Sequence, residues 1–133
     1  MSYYLKLYGA TLVAFFAIDM AWLGLVARNF YREQLGFLLA PRVNWAAALT
    51  FYLLFIAAIL VFAVLPGLKA DSLRTTLLYG AFFGLVTYAT YDLTNLATIR
   101  DWPLLVTAVD LAWGTVLSAA VSLVGFAAGK WLA

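Results

Sequence analysis

Four long apolar runs joined by short polar connectors decide most of what this chain can become. A helix needs about 20 mostly apolar residues to cross the hydrocarbon core of a bilayer. Runs of that kind lie at about 4–27, 45–65, 73–97 and 103–128. In lipid the backbone must satisfy its own polar groups, and a single run does so only as a helix. The fold predicted is therefore all-α, a four-transmembrane-helix bundle forming one domain over 1–133. Composition agrees: of 133 residues, 67% are apolar and 11% charged, with a mean hydropathy of +1.00. A soluble domain carries about a quarter charged residues. A small one exposes too much surface to hide this many apolar side chains.

The connectors carry boundary signals. Pro66-Gly67 is expected to stop the second helix, Asp71 or Ser72 to cap the third, and Asp101 to cap the fourth with Pro103 in its first turn. The stretch 28–44 sets Arg28, Arg32, Glu33 and Arg42 among aromatic and leucine residues. It reads as a short amphipathic helix lying in the headgroup region. Lys6, Lys69, Arg74 and Lys130 fall on one side of the bilayer and Arg28, Arg32, Arg42 and Arg100 on the other. That even division leaves orientation open under the positive-inside rule.

Several function classes are excluded. Eight basic against six acidic residues give a net charge of +2 without a basic run, which argues against nucleic-acid binding. With no cysteine, disulfides, thiolate metal sites and cysteine nucleophiles are out. With no histidine, the commonest metal ligand and the usual neutral-pH proton shuttle are missing. There is no Gly-rich nucleotide loop or serine elbow. Neither a metal nor a cofactor is expected.

Against this apolar background three aspartates stand out: Asp19, Asp92 and Asp110. Each costs about 2.5–3.5 kcal/mol at the centre of a membrane helix, so each needs a reason to be there. Helix direction supplies one. Asp19 precedes the first connector, Asp92 precedes the third and Asp110 follows the third, each by eight or nine residues. At 1.5 Å per residue all three lie roughly 10–14 Å from helix ends on one side of the membrane. They are the candidate catalytic groups if there is a reaction. The third helix adds a stripe of Gly84, Tyr88, Asp92 and Asn95, flanked by Tyr91, which is too polar to face lipid. Trp22 and Trp113 each follow an aspartate by three residues, in the echoing segments Ile18-Asp-Met-Ala-Trp and Val109-Asp-Leu-Ala-Trp. Trp22, Tyr88, Tyr91, Asn95 and Trp113 are the expected ligand-binding residues.

The remaining features read as architecture. Trp45, Trp102 and Trp131 sit at span ends as interface anchors. Gly80 with Gly84, and Gly114 with Ser118 and Ser122, form seams of small residues through which helices pack closely. Either seam is an expected surface for a homodimer.

The segments Asp19-Met-Ala-Trp-Leu-Gly, Phe30-Tyr31, Phe51-Tyr52, Tyr88-Ala-Thr-Tyr-Asp-Leu-Thr-Asn-Leu-Ala-Thr, Trp102-Pro103 and Asp110-Leu-Ala-Trp-Gly resemble a bacterial family of four-helix membrane proteins. That family is known as domain of unknown function 2177. The resemblance runs over nearly the whole chain and implies a multi-pass protein of the bacterial inner membrane. It brings no activity and no catalytic residues. Its members resemble genes found near lipid-modification and light-stress functions, which implies a lipid-like ligand.

Three functions fit these observations. The first is binding, or modification, of a lipid or small lipophilic molecule in an intramembrane cavity lined by Asp, Tyr and Asn. The second is a small dimeric proton-coupled transporter. The third is a non-catalytic assembly or accessory protein that binds other membrane helices.

Overall fold

The computed structural model describes residues 2–133, and among these there are helices and turns but no strand. Helix α1 spans Ser2–Val26, α2 Phe30–Leu35, α3 Trp45–Lys69, α4 Leu73–Thr98 and α5 Leu104–Leu132. Three of them, α1, α3 and α5, are long and apolar enough to cross a membrane. Helix α4, at 26 residues, matches them in length. Thr75, Thr76, Thr87, Thr90, Asp92 and Asn95 lower its hydropathy, so it does not pass as a span on composition alone. By length and composition the structure thus shows three candidate spans rather than the four expected.

Helix ends follow local chemistry. Ser72, not Asp71, caps α4: its Oγ accepts the Thr75 N–H at 3.1 Å. Asn44 caps α3 in the same way, accepting from Ala47 N at 3.1 Å. Asp71 and Asp101 have left-handed backbones, with φ of 49° and 61°, and turn the chain sharply ahead of α4 and α5. Asp101 is therefore not the expected cap. Pro103 holds the N-cap position of α5, without a side-chain bond. Losing the Ser72 acceptor strands an amide, so Ser72→Ala should cost about 1 kcal/mol in denaturant-induced unfolding of the detergent-solubilised protein.

The second helix does not stop at Pro66-Gly67. Proline lacks the N–H that bonds four residues back, and its ring crowds that carbonyl. Here the preceding turn, Leu60–Val64, is a π-turn in which Leu65 N–H donates to the Leu60 carbonyl. The wider turn accommodates Pro66, and α3 runs on to Lys69.

The centre of the bundle interlocks Phe15, Phe55, Ile56, Ile59, Val64 and Leu117. Large apolar side chains such as Val13, Leu54, Phe62, Leu78 and Val116 point outward, a surface suited to lipid rather than water. The longest contact is between α4 and α5, and it uses both small-residue seams. Gly80 faces Ser122, and Gly84 faces Gly114 and Ser118. All five are buried, so these seams close within the chain and are not exposed to a second copy. Trp102 also departs from expectation. It is buried with Leu35 and Val106 rather than anchored in the interface, and this cluster docks α2 onto the start of α5. Trp45 and Trp131 are exposed at span ends, as an anchor requires.

Candidate functional site

At the end of the bundle where α2 docks, the long helices enclose a cavity of about 420 Å³. That is within the usual range for small-molecule sites, roughly 300–1,000 Å³. Every helix contributes: α1 gives Asp19 and Trp22, α2 gives Tyr31, α3 gives Tyr52, α4 gives Tyr88, and α5 gives Asp110 and Trp113. The last turn of α1, beginning at Trp22, is a π-turn closed by Ala27 N–H to the Trp22 carbonyl at 2.7 Å. Such turns recur where a helix end serves a site.

The two echoing segments meet here. The indoles of Trp22 and Trp113 stack with centroids 4.3 Å apart and planes 10° from parallel. Trp22 Nε1 donates to Tyr31 Oη at 3.1 Å, and Tyr31 Oη donates to Asp110 Oδ1 at 2.6 Å. The tryptophan of one segment is thus tied to the aspartate of the other. In the reverse sense, the Trp113 indole N–H lies towards Asp19 but closes no hydrogen bond. Burial, then the bond to Asp110, push the Tyr31 phenol well above its usual range, so it remains a donor.

Asp92 lies behind this wall. It is fully buried, does not line the cavity, and its carboxyl oxygens find no donor among the described residues. Its carboxyl lies against that of Asp110. The Asp92 carbonyl accepts from Thr107 Oγ1 at 3.4 Å, and Thr107 accepts from Trp102 Nε1 at 3.1 Å. Arg100 is exposed and does not neutralise Asp92. Asn95, expected among the ligand contacts, is half-buried outside the cavity lining, because the stripe passes the cavity floor before reaching it. Tyr91 stands at the rim, 59% exposed, edge-on to Trp102 with centroids 5.8 Å apart.

A family model described as "Predicted membrane protein (DUF2177)" matches residues 4–127. The chain belongs to this family. The DUF2177 match takes in every residue of the cavity and brings no assigned activity. No curated protein and no solved structure matches the chain.

The geometry of this DUF2177 member brings Asp19, Trp22, Tyr88, Tyr91, Asp110 and Trp113 to one cavity, with Asp92 directly behind. Sequence reasoning missed Tyr31 and the α3 face of Ala48, Phe51 and Tyr52. The α3 face had a signal: a lone phenol in an otherwise apolar helix, with neighbours at i−1 and i−4. Tyr31 had none, because its role depends on where a connector folds back. Among the described residues no three metal-ligating side chains converge. Chemically, the site offers two carboxyls, several phenols and broad aromatic faces.

Proposed function

We propose that this chain is a four-span protein of the bacterial inner membrane whose cavity binds a lipophilic small molecule or lipid drawn from the bilayer. The carrying observation is the cavity itself: ligand-sized, aromatic, bearing two carboxyls, and set inside an apolar bundle. The crossing of α4 is supported by how its polar stripe is spent. Asp92 is fully buried and Tyr88 lies over Gly114, while Leu78, Phe82, Leu85, Val86 and Leu93 face outward. Lipid therefore meets the apolar side of α4, as membrane helices with interior polar groups require. Short turns join α3 to α4 and α4 to α5, which fits antiparallel neighbours. Leu23, Phe51 and Tyr91 leave the cavity rim partly exposed, so an acyl or aromatic ligand has a lateral way in. Asp19 and Asp110 are the polar contacts for such a ligand, with Trp22, Tyr88, Tyr91 and Trp113 as its apolar contacts. Asp92 lies behind Asp110, and Tyr31 holds the Asp110 carboxyl.

Ala48 provides a clean test, because it lines the cavity from α3 and makes no polar contact. Ala48→Trp should fill the space and reduce co-purified lipophilic molecules, counted by native mass spectrometry, about ten-fold or more. The same substitution at outward-facing Val61 should leave them unchanged. Equal retention in both variants would overturn the reading.

A further inference from the structure

The cavity has an unbalanced charge pattern. Asp19 and Asp110 are each more than nine-tenths buried, and both line it. No lysine or arginine lines it with them. Among the described residues no hydrogen bond of good geometry reaches the Asp19 carboxyl, whose nearby indole donor, Trp113 Nε1, is itself unpartnered. The ion pair of Lys130 with Asp71 lies at the opposite end of the bundle, on the turn before α4. The walls are aromatic, formed by Trp22, Phe51, Tyr52, Tyr88 and Trp113. Aromatic faces carry negative quadrupole density and attract cations, most strongly where water is excluded. An anion placed here would meet two carboxyl groups and no cation. A neutral ligand would leave the Asp19 carboxyl without a partner, which is costly in an apolar setting.

We infer that the ligand of this cavity is a lipophilic organic cation, an alkylated onium group carrying apolar substituents, held between the Asp19 and Asp110 carboxyls and the Trp22–Trp113 wall. This rests on the cavity being the binding site, as proposed above, and adds the class of ligand. The exchange balances simply. At a pH where a carboxyl is protonated, the entering cation displaces that proton to water, leaving a carboxylate beside the bound cation and no net change of charge in the cavity. Tyr52 of α3 and Tyr88 of α4 face Asp19. Tyr31 of α2 and Asp92, Tyr88 and Tyr91 of α4 face Asp110. No cationic side chain takes part. Proton and ligand therefore compete for the same oxygens, and affinity rises with pH.

Tetraphenylphosphonium and tetraphenylborate, nearly identical in size and opposite in charge, test this on the full chain in dodecylmaltoside. Binding is read by equilibrium dialysis as the difference between the wild type and Ala48→Trp. The phosphonium should bind at least about ten-fold more tightly than the borate, because charge alone separates them. Its binding should release protons into weak buffer and strengthen with rising pH. Asp19→Asn and Asp110→Asn should each weaken it about ten-fold, with gel filtration confirming the fold. Equal or tighter borate binding overturns the inference. So does phosphonium binding that ignores both pH and the two substitutions. If the cavity holds borate or neutral lipid in an Ala48-dependent way, the ligand class is wrong while the binding site stands. If Ala48→Trp changes the binding of nothing, both fail. Nanodiscs separate the two sources of an onium group. Competition by phosphatidylcholine but not by phosphatidylglycerol assigns it to a lipid headgroup, and competition by neither assigns it to a free cation.

Discussion

Gly84→Leu is expected to destroy the bundle rather than adjust it. A Cβ at Gly84 would stand 2.6 Å from Ser118 Cβ and closer still to the Gly114 carbonyl oxygen. One of those obstacles is helix backbone, which cannot rotate away. The clash is relieved only if α4 and α5 separate along their longest shared contact. Separation also lifts the Tyr88 ring from Gly114 and opens one wall of the cavity. Close approach over small residues is a main source of helix association in lipid, where no hydrophobic force draws helices together. Overpacking usually costs 1–3 kcal/mol, and a branched side chain driven against backbone should exceed about 3 kcal/mol. The measurements are denaturant-induced unfolding in detergent and loss of a monodisperse gel-filtration peak. Gly9→Ala is the control, since a Cβ there meets nothing within 4 Å. It should be neutral or slightly stabilising, because alanine favours helix over glycine by about 1 kcal/mol. A stable, monodisperse Gly84→Leu protein would mean that the seam is free for a second copy after all.

The same seam shows what could be read from sequence and what could not. Spacing alone identified Gly80, Gly84, Gly114, Ser118 and Ser122 as close-packing positions. It carried no information on whether the partner helix belongs to the same chain, since any helix with small residues satisfies that pattern. The shared height of Asp19, Asp92 and Asp110 was legible for a related reason. Rise per residue fixes height along a helix, and the structure gathers all three at one end of the bundle. Rotation about the helix axis is less constrained. That is why Asp92 is found behind the cavity rather than in it, and why Asn95, one turn further on, leaves the lining. Pro66 misled in a different way. A proline's effect depends on whether the preceding turn can widen, and the π-turn at Leu60–Val64 leaves no mark in composition. The echo of Asp19 to Trp22 in Asp110 to Trp113 was too short to interpret on its own. Stacking of its two indoles gives it a physical consequence.

Tyr31 is the position where one oxygen should have the widest effect. Its hydroxyl accepts from the Trp22 indole and donates to the Asp110 carboxyl, so a single atom joins α1, α2 and α5. Tyr31→Phe keeps the ring, its edge-on contact with Phe30 and its place beside the Leu35–Trp102–Val106 cluster. What it removes is both hydrogen bonds, stranding an indole N–H and one carboxyl oxygen in a half-buried setting. A bond to a charged or strongly polar partner contributes about 1.5–3 kcal/mol, and the stranded groups add their own desolvation cost. Helix α2 has only six residues and cannot stay folded by itself. The loss should therefore appear as local opening of the α2 segment rather than global unfolding. Hydrogen exchange across residues 28–44 should accelerate about 10- to 100-fold, while exchange in α4 and α5 stays near wild type. Asp110 loses the donor that fixes its carboxyl group, so phosphonium affinity should fall in the same variant. Unchanged exchange in that segment would show that the Leu35–Trp102–Val106 cluster alone holds α2, with the hydroxyl serving only the ligand.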